Sequence, residues 1–139
     1  MVRGMTPLTD LALLLRDLRP QLQPQTYVFC SVAGAQYGDL PHTAPLACFA
    51  EPEGLSLVIS QAHADHEGLT YQGTFGCITL QVHSSLQAVG LTAAVASELA
   101  AHNISANVIA ATHHDHVLVP ASDAHRAVEL LEAMSAQAR

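Results

Sequence analysis

The spacing of apolar residues in the first third of the chain predicts a helix, a strand and a loop. Leucines recur at helical spacing directly after Thr9 and Asp10, which predicts a capped amphipathic helix that Pro20 ends. The run TYVFCSV is rich in aromatic and β-branched residues and predicts a strand. Residues 33–45 hold two glycines and two prolines, so we expect a loop there. The leucines of the helical face are Leu11, Leu14, Leu15 and Leu18.

The middle of the chain predicts a hairpin followed by a short helix. Two strand-like runs in LACFAEPEGLSLVIS flank a turn at Glu51–Gly54, where Pro52 presets φ and Gly54 can adopt a positive φ. The segment QAHADHEGL predicts a short polar helix that ends at Gly68. The run TFGCITLQV, residues 74–82, then predicts a central strand.

The second half repeats these elements more clearly. A helical face is followed by Asn103, which favours a left-handed helix end. SANVIAA and HVLVP predict two short strands that form a second hairpin around THHD. Ser122 is placed to cap a last helix. The residues expected to face inward are Leu91, Ala94, Val95 and Leu99 on the first of these helices and Ala124, Val128, Leu131 and Met134 on the second.

The order of these elements predicts an α+β protein with helices packed on one face of antiparallel sheets. Residues 1–72 form an incomplete first half, residues 73–139 form the second half, and the central strand at 74–82 can belong to both. Neither half is expected to bury enough core to be stable alone, so we expect the two halves to complete each other.

Composition narrows the class of protein. The chain has 139 residues, of which 50% are apolar and 12% charged, which is typical of a globular domain and not of a disordered chain. A net charge of -7 without a basic cluster argues against nucleic acid as a partner. The apolar run LALLL is too short to cross a membrane, and we predict a cytoplasmic protein.

The cysteines and the motif content argue against catalysis and against a cofactor. Cys30, Cys48 and Cys77 are far apart, lie in strand-like runs and form no CxxC pair, so we expect buried free thiols. GxSxG, Walker A and GxGxxG motifs are absent from the sequence. We therefore predict no enzymatic activity and no bound metal or cofactor.

One stretch, HSSLQAVGLTAAV at residues 83–95, passes from a strand through Gly90 into a helix. The longer segment ITLQVHSSLQAVGLTAAVASELAAHNISANVIAA resembles the ACT domain, a βαββαβ module with a ferredoxin-like fold that binds amino acids and regulates metabolic enzymes. VHSSLQAVGLTAAV followed by HHDHVLVP is similar to small stand-alone bacterial proteins that are built from tandem ACT-like halves. The resemblance implies two such halves and a regulatory function.

The strand-to-helix turn has the chemistry of a small-molecule site. Gly90 lacks a Cβ, so backbone or ligand can approach it closely. Ser84 and Gln87 have the spacing of a capping box, which predicts a helical turn before Gly90. Free N–H groups at a helix start, with the hydroxyls of Ser84 and Ser85 beside them, can accept a carboxylate.

The resemblance implies the ligand and the site residues. ACT domains bind an effector at this turn and a neighbouring unit, so the resemblance implies an amino acid or related metabolite and a homodimer, with an unidentified regulated protein. Many ACT domains carry an acidic residue shortly before the glycine, whereas this chain has Gln87 and three more residues in the turn. The leading hypothesis predicts that Gly90→Leu abolishes the response to ligand while the protein still folds. The implied ligand-binding residues are Ser85, Gln87, Val89, Gly90 and Leu91.

Two other interpretations remain open. In the first, Gly90 serves helix packing alone and Ser84 caps the helix, so that the protein is a structural or oligomerisation module that binds no metabolite. In the second, the THHDH segment binds a metal through His113, His114, Asp115 and His116, since imidazole and carboxylate are metal ligands. Against this, an extended segment places His114 and His116 on one face and the other two residues opposite, and Asp115 is expected as a turn former.

Overall fold

The structure, a computed structural model, describes residues 10–139. These residues divide into two compact units, residues 24–75 and residues 10–23 together with 76–139. The predicted division after residue 72 and the sharing of the central strand stay predictions. Within the described residues, no helix combines the length and the apolar character that a membrane crossing requires. The helices and strands are α1 Leu11–Arg16, β1 Pro20–Val32, β2 Ala47–Glu51, β3 Gly54–Ser60, α2 Gln61–Glu67, β4 Phe75–Leu80, α3 Leu91–Ala101, β5 Asn107–Ala110, β6 Asp115–Pro120 and α4 Ala124–Gln137.

The unit of residues 24–75 is an antiparallel sheet covered by one helix. Its strands lie in the order β2-β3-β1, with Cys48 opposite Leu57 and Leu57 opposite Cys30. Because side chains alternate along a strand, one face of β1 and β3 points at α2. That face forms the core of this unit, made of Val28, Cys30, Leu55, Leu57, Ile59 and Ala64.

In the other unit, three helices cover one face of a sheet. The strand order is β1-β4-β6-β5, and β5 pairs with β6 in antiparallel register from Asn107–Leu118 to Ala110–Asp115. Helices α1 and α3 both pack against α4. The predicted α+β architecture is confirmed. The shared core consists of Leu14, Leu18, Ile78, Leu80, Val82, Leu91, Val95, Leu99, Ile104, Val117, Val119, Ala124, Ala127 and Leu131.

Several predicted helix ends and turns are confirmed. The Asp10 side chain accepts a hydrogen bond from the N–H of Leu13 at 3.3 Å and caps α1. Gly68 ends α2 in the left-handed conformation, and Asn103 adopts a φ of 60° after α3. Gly54 adopts a φ of 146° in the β2–β3 turn. Thr9, which was part of the predicted first cap, lies outside the described residues.

The first strand is longer than predicted. It begins at Pro20 and not at Thr26, because proline is tolerated as the first residue of a strand. Pro24 lies before Tyr27, where the pairing of β1 with β3 begins, so that ladder does not require its missing N–H. The strand therefore begins six residues before the start that the sequence predicts.

Two further expectations are wrong. Ser122 does not cap the last helix, since it lies within a 3-10 turn over Ala121–Asp123, and Asp123 occupies the cap position without a side-chain hydrogen bond. Cys48 is exposed on β2, whereas Cys30 and Cys77 are buried as expected. Burial raises the pKa of the Cys30 and Cys77 thiols, which keeps these two cysteines protonated.

Candidate functional site

The loop between β4 and α3 forms a local turn around Ser85. Its Oγ accepts the N–H of Gln87 at 3.1 Å, and its carbonyl accepts the N–H of Ala88 at 3.0 Å. The capping box predicted for Ser84 and Gln87 is therefore wrong, because the neighbouring Ser85 makes the local bond. Ser84 is instead a buried polar residue, 8% exposed.

Gly90 is required where the loop enters α3. It occupies the cap position with a φ of 103°, a conformation that residues with a Cβ rarely adopt. A Cβ at this position would lie 3.0 Å from Cδ2 of Leu11. Glycine also provides no side-chain cap, so the first N–H groups of α3 lack such a partner. These N–H groups carry the positive end of the helix dipole.

A pocket of ≈ 140 Å³ lies at this loop. Among the five predicted site residues, Ser85, Gly90 and Leu91 line it. Gln87 and Val89 are exposed and are not among the lining residues. The structure therefore brings together three of the predicted residues and separates two from them. The complete lining is Ser84, Ser85, Leu86, Ala88, Gly90, Leu91, Thr92, Ala110 and Asp115.

Asp115 is the acidic residue of this pocket, and its expected role as a turn former is wrong. The N–H of Ala111 donates to the carbonyl of His114 at 3.1 Å, which closes the hairpin turn before Asp115. Asp115 begins β6 opposite Ala110 and is 8% exposed. The pairing of β5 with β6 thus places Asp115 beside the loop that contains Gly90.

Asp115 is mostly buried as a residue, although its carboxylate oxygens keep some contact with solvent. It makes no hydrogen bond or ion pair with any residue that the structure describes. Burial raises its pKa, although His116 and His114 favour the charged form and oppose that shift. Burying an ionised carboxylate without a partner is unfavourable. A bound ammonium group would supply the missing partner.

Three imidazoles gather beside the pocket. The ring centroid of His83 lies 5.5 Å from that of His113 and 6.5 Å from that of His114, and the last two are 6.4 Å apart. Residues 111–114 form the hairpin turn, so the sorting of residues 113–116 onto two faces, which requires an extended segment, does not apply to His113 and His114. Nδ1 of His114 is buried and has no hydrogen-bond partner among the described residues.

The histidines do not form a preformed metal site. Within residues 10–139, no group of three or more His, Cys, Asp or Glu side chains is arranged to hold a metal ion. His116 points instead into a hydrogen-bonded chain, in which its Nδ1 lies 3.0 Å from Oγ1 of Thr79 and Gln23 donates to the same Oγ1 at 2.8 Å. Burial and the neighbouring His114 lower the pKa of His116, which favours the neutral ring. The metal interpretation of residues 113–116 gains no support from this arrangement.

Sequence reasoning missed Asp115 as a residue of the pocket. Gly90 and Asp115 are separated by α3 and by β5, and their proximity depends on the pairing of β5 with β6. The available signal was an aspartate directly before the strand run HVLVP. Since aspartate is common in turns, that signal favoured the hairpin turn instead.

Comparisons with family models identify two consecutive matches. A model described as ACT domain matches residues 6–76, and a second model with the same description matches residues 73–133. A search of curated protein sequences gave no significant match.

Solved structures resemble the chain over most of its length. A crystal structure of a Vibrio cholerae protein of unknown function, described as a possible transport protein, is 47% identical, with a TM-score of 0.82 over 90% of this chain and 95% of that one. The ligand-free regulatory subunit of aspartate kinase from Thermus thermophilus has 8% identity and a TM-score of 0.57, over 83% and 95% of the two chains. Aspartokinase III from E. coli, in complex with aspartate and ADP, has 13% identity and a TM-score of 0.62, over 83% and 32%. The last two show a shared fold.

Proposed function

The chain belongs to the ACT domain family and carries two such domains in tandem, and from this premise we propose that it is a regulatory module that binds an amino acid beside Gly90. The proposal adds no catalytic step. The observation that carries it is Asp115, a mostly buried residue whose carboxylate has no hydrogen-bond or ion-pair partner among residues 10–139 and which lines the same pocket as Gly90 and Ser85.

The pocket offers complementary partners to both charged groups of an amino acid. Asp115 would pair with the ammonium group, which offsets the cost of burying the carboxylate. The uncapped N–H groups at the start of α3 and the Ser85 hydroxyl would bind the carboxylate. Asp115 thus takes the place of the acidic residue that the loop itself lacks. Gln87 is not required for this recognition.

The volume of the pocket limits the ligand. A volume of ≈ 140 Å³ is less than half of the about 300 Å³ at which pockets for drug-sized ligands begin. This fits the ammonium and carboxylate end of an amino acid, with its side chain reaching toward the pocket entrance. We therefore propose a free amino acid or a metabolite of similar size, and not a nucleotide.

The loop also supports a homodimer as the binding state. Leu86 and Val89 are large apolar residues that are 70% and 83% exposed on the loop that forms the pocket. A second copy of the chain that covers them would both bury this surface and close the pocket. A change of oligomer state on ligand binding would then carry the signal to the unidentified regulated protein.

The decisive experiment is a thermal-unfolding screen of the purified protein against the twenty amino acids at pH 7.5. A ligand at about 100 times its Kd adds roughly 2.7 kcal/mol to the free energy of unfolding. We expect one amino acid or a related group to raise the melting temperature of the wild type and to have no effect on Asp115→Asn. The matched control is Asp17→Asn, which removes an exposed carboxylate outside the pocket.

Two outcomes contradict the proposal. If Asp115→Asn responds to the amino acid as strongly as the wild type, the ammonium is not bound at Asp115. If no amino acid shifts the wild type, sedimentation of Leu86→Ser and Val89→Ser tests the second function, a pairing module without a ligand. Loss of a dimer in those variants, together with the absence of any amino-acid response, would establish that second function.

A further inference from the structure

A second pocket, of ≈ 520 Å³, lies where β1 begins and α4 ends. It shares no lining residue with the pocket beside Gly90. No sequence motif marks this pocket, because its residues come from three separate stretches of sequence. The lining residues are Arg19, Pro20, Gln21, Gln81, Glu132, Ser135 and Arg139.

This pocket contains an unusually large share of the positively charged side chains of the protein. The protein has five cationic residues and a net charge of -7, yet two of those five, Arg19 and Arg139, line this one pocket. The ion pairs found among residues 10–139 join His42 and His66 to Glu67. Neither arginine therefore has a carboxylate partner within the described part of the chain, and both are exposed residues that line the same pocket.

The backbone holds Arg19 in a rarely occupied conformation. Its φ is 46°, in the left-handed region, although it is neither glycine nor asparagine and precedes Pro20. The carbonyl of Arg19 accepts the N–H of Gln81 at 3.3 Å, which fixes the α1–β1 turn against the residue after β4. A strained residue persists where its surroundings determine its position, and such residues cluster at functional sites.

The uncharged polar side chains of the lining, those of Gln21, Gln81 and Ser135, already have partners. The amide of Gln81 donates to the side-chain carbonyl of Gln21. Ser135, which is 3% exposed, donates its hydroxyl hydrogen to the carbonyl of Arg16 at 3.0 Å. The walls are thus held by internal hydrogen bonds, and the charged side chains of the lining are two guanidinium groups and the carboxylate of Glu132.

We propose that this pocket binds a small multivalent oxyanion, either a polycarboxylate or a phosphate, through Arg19 and Arg139. Planar guanidinium groups bind both carboxylate and phosphate oxygens in a bidentate manner. Glu132 and the negative end of the α4 dipole oppose a bound anion, so a single arginine would not suffice.

The test is isothermal titration of the full chain with citrate and, separately, with inorganic phosphate at constant ionic strength. We expect saturable binding of one of them to the wild type. Arg19→Asn, which removes the guanidinium while tolerating a positive φ, should weaken that binding at least tenfold. Glu132→Gln should tighten it several-fold. The matched control is Arg126→Asn, since Arg126 is an exposed arginine of α4 outside the pocket.

The pattern across the variants decides the proposal. Opposite effects of Arg19→Asn and Glu132→Gln, with Arg126→Asn unchanged, support a site at the pocket, and the ligand that binds identifies its class. No saturable binding of either anion, or equal weakening by Arg126→Asn, overturns it. Asp115→Asn should leave anion binding unchanged, which separates this site from the amino-acid pocket.

Discussion

Gly90→Ala is expected to destabilise the protein even in the absence of any ligand. The native φ of 103° lies outside the conformations that alanine adopts without strain. A non-glycine residue held there costs roughly 1–3 kcal/mol. Alanine also restricts the unfolded chain, which returns about 0.4–1 kcal/mol. The net loss of unfolding free energy is therefore about 1–2 kcal/mol.

A second contribution comes from the contact with Leu11. The new methyl group would lie 3.0 Å from Cδ2 of that leucine, closer than ordinary van der Waals contact. Leu11 is 36% exposed, so its side chain can rotate away at a modest cost. The double variant Leu11→Ala/Gly90→Ala removes this contact, and its coupling energy isolates the steric part from the backbone part.

The assay is thermal unfolding followed by circular dichroism. With an unfolding entropy of about 2.1 cal/mol/K per residue, a chain of 139 residues loses roughly 3–7 °C for 1–2 kcal/mol. Gly68→Ala is the control, because Gly68 has a φ of 68° within the left-handed region and open space around it. The reasoning is refuted if Gly90→Ala melts with the wild type or if Gly68→Ala is the more damaged variant.

The remaining predictions concern one charge, one histidine and two apolar residues. Without ligand, Asp115→Asn should be more stable than the wild type at neutral pH. Burial raises the pKa of Asp115 in the folded state, so its carboxyl group contributes stability below the unfolded-state pKa, and this contribution is lost as the pH rises through the folded-state pKa. Urea titrations at several pH values should show that the unfolding free energy of the variant depends less on pH. For His116 the folded-state pKa is lowered, so the unfolding free energy should fall as pH drops below about 6.5, and His116→Gln should remove that fall in the same titrations. Leu99→Ala, at a fully buried position of α3, should cost about 2–5 kcal/mol in urea unfolding. Phe49→Ser, at a position 69% exposed, should change the same quantity by less than about 0.5 kcal/mol.

Gly90 also shows how far the sequence could guide the choice of a test. A substitution to leucine was expected to remove ligand binding without affecting the fold. The positive φ and the proximity of Leu11 argue against this, since any larger residue strains the entry into α3. If Gly90→Leu lost its response to ligand, the loss could result either from unfolding or from removal of the binding site. Asp115→Asn keeps the size of the side chain and avoids that ambiguity.

Local signals were sufficient for most of the fold. Three helix ends follow from the backbone or side-chain preference of a single residue, which one sequence reveals. These residues are Asp10, Gly68 and Asn103. Proline was less informative, because whether its missing N–H matters depends on the pairing of the strand, as β1 shows at Pro24. Ser84 and Ser85 could not be distinguished as caps by spacing alone, since the turn between them and Gly90 does not continue a helix.

The chemistry of the two pockets depends on contacts between residues distant in sequence. Asp115 lies beside the Gly90 loop because Ala110 pairs with it across the β5–β6 hairpin, and a turn one residue longer would move it to the other face of the sheet. Arg19 and Arg139 are 120 positions apart in the sequence and line one pocket where β1 begins and α4 ends. In both pockets the informative feature is a charged side chain that has no ion-pair partner among residues 10–139. An unpaired charge costs stability at the mostly buried Asp115, so this group is better explained by what it binds, whereas the exposed Arg19 and Arg139 are accessible to a ligand without such a cost.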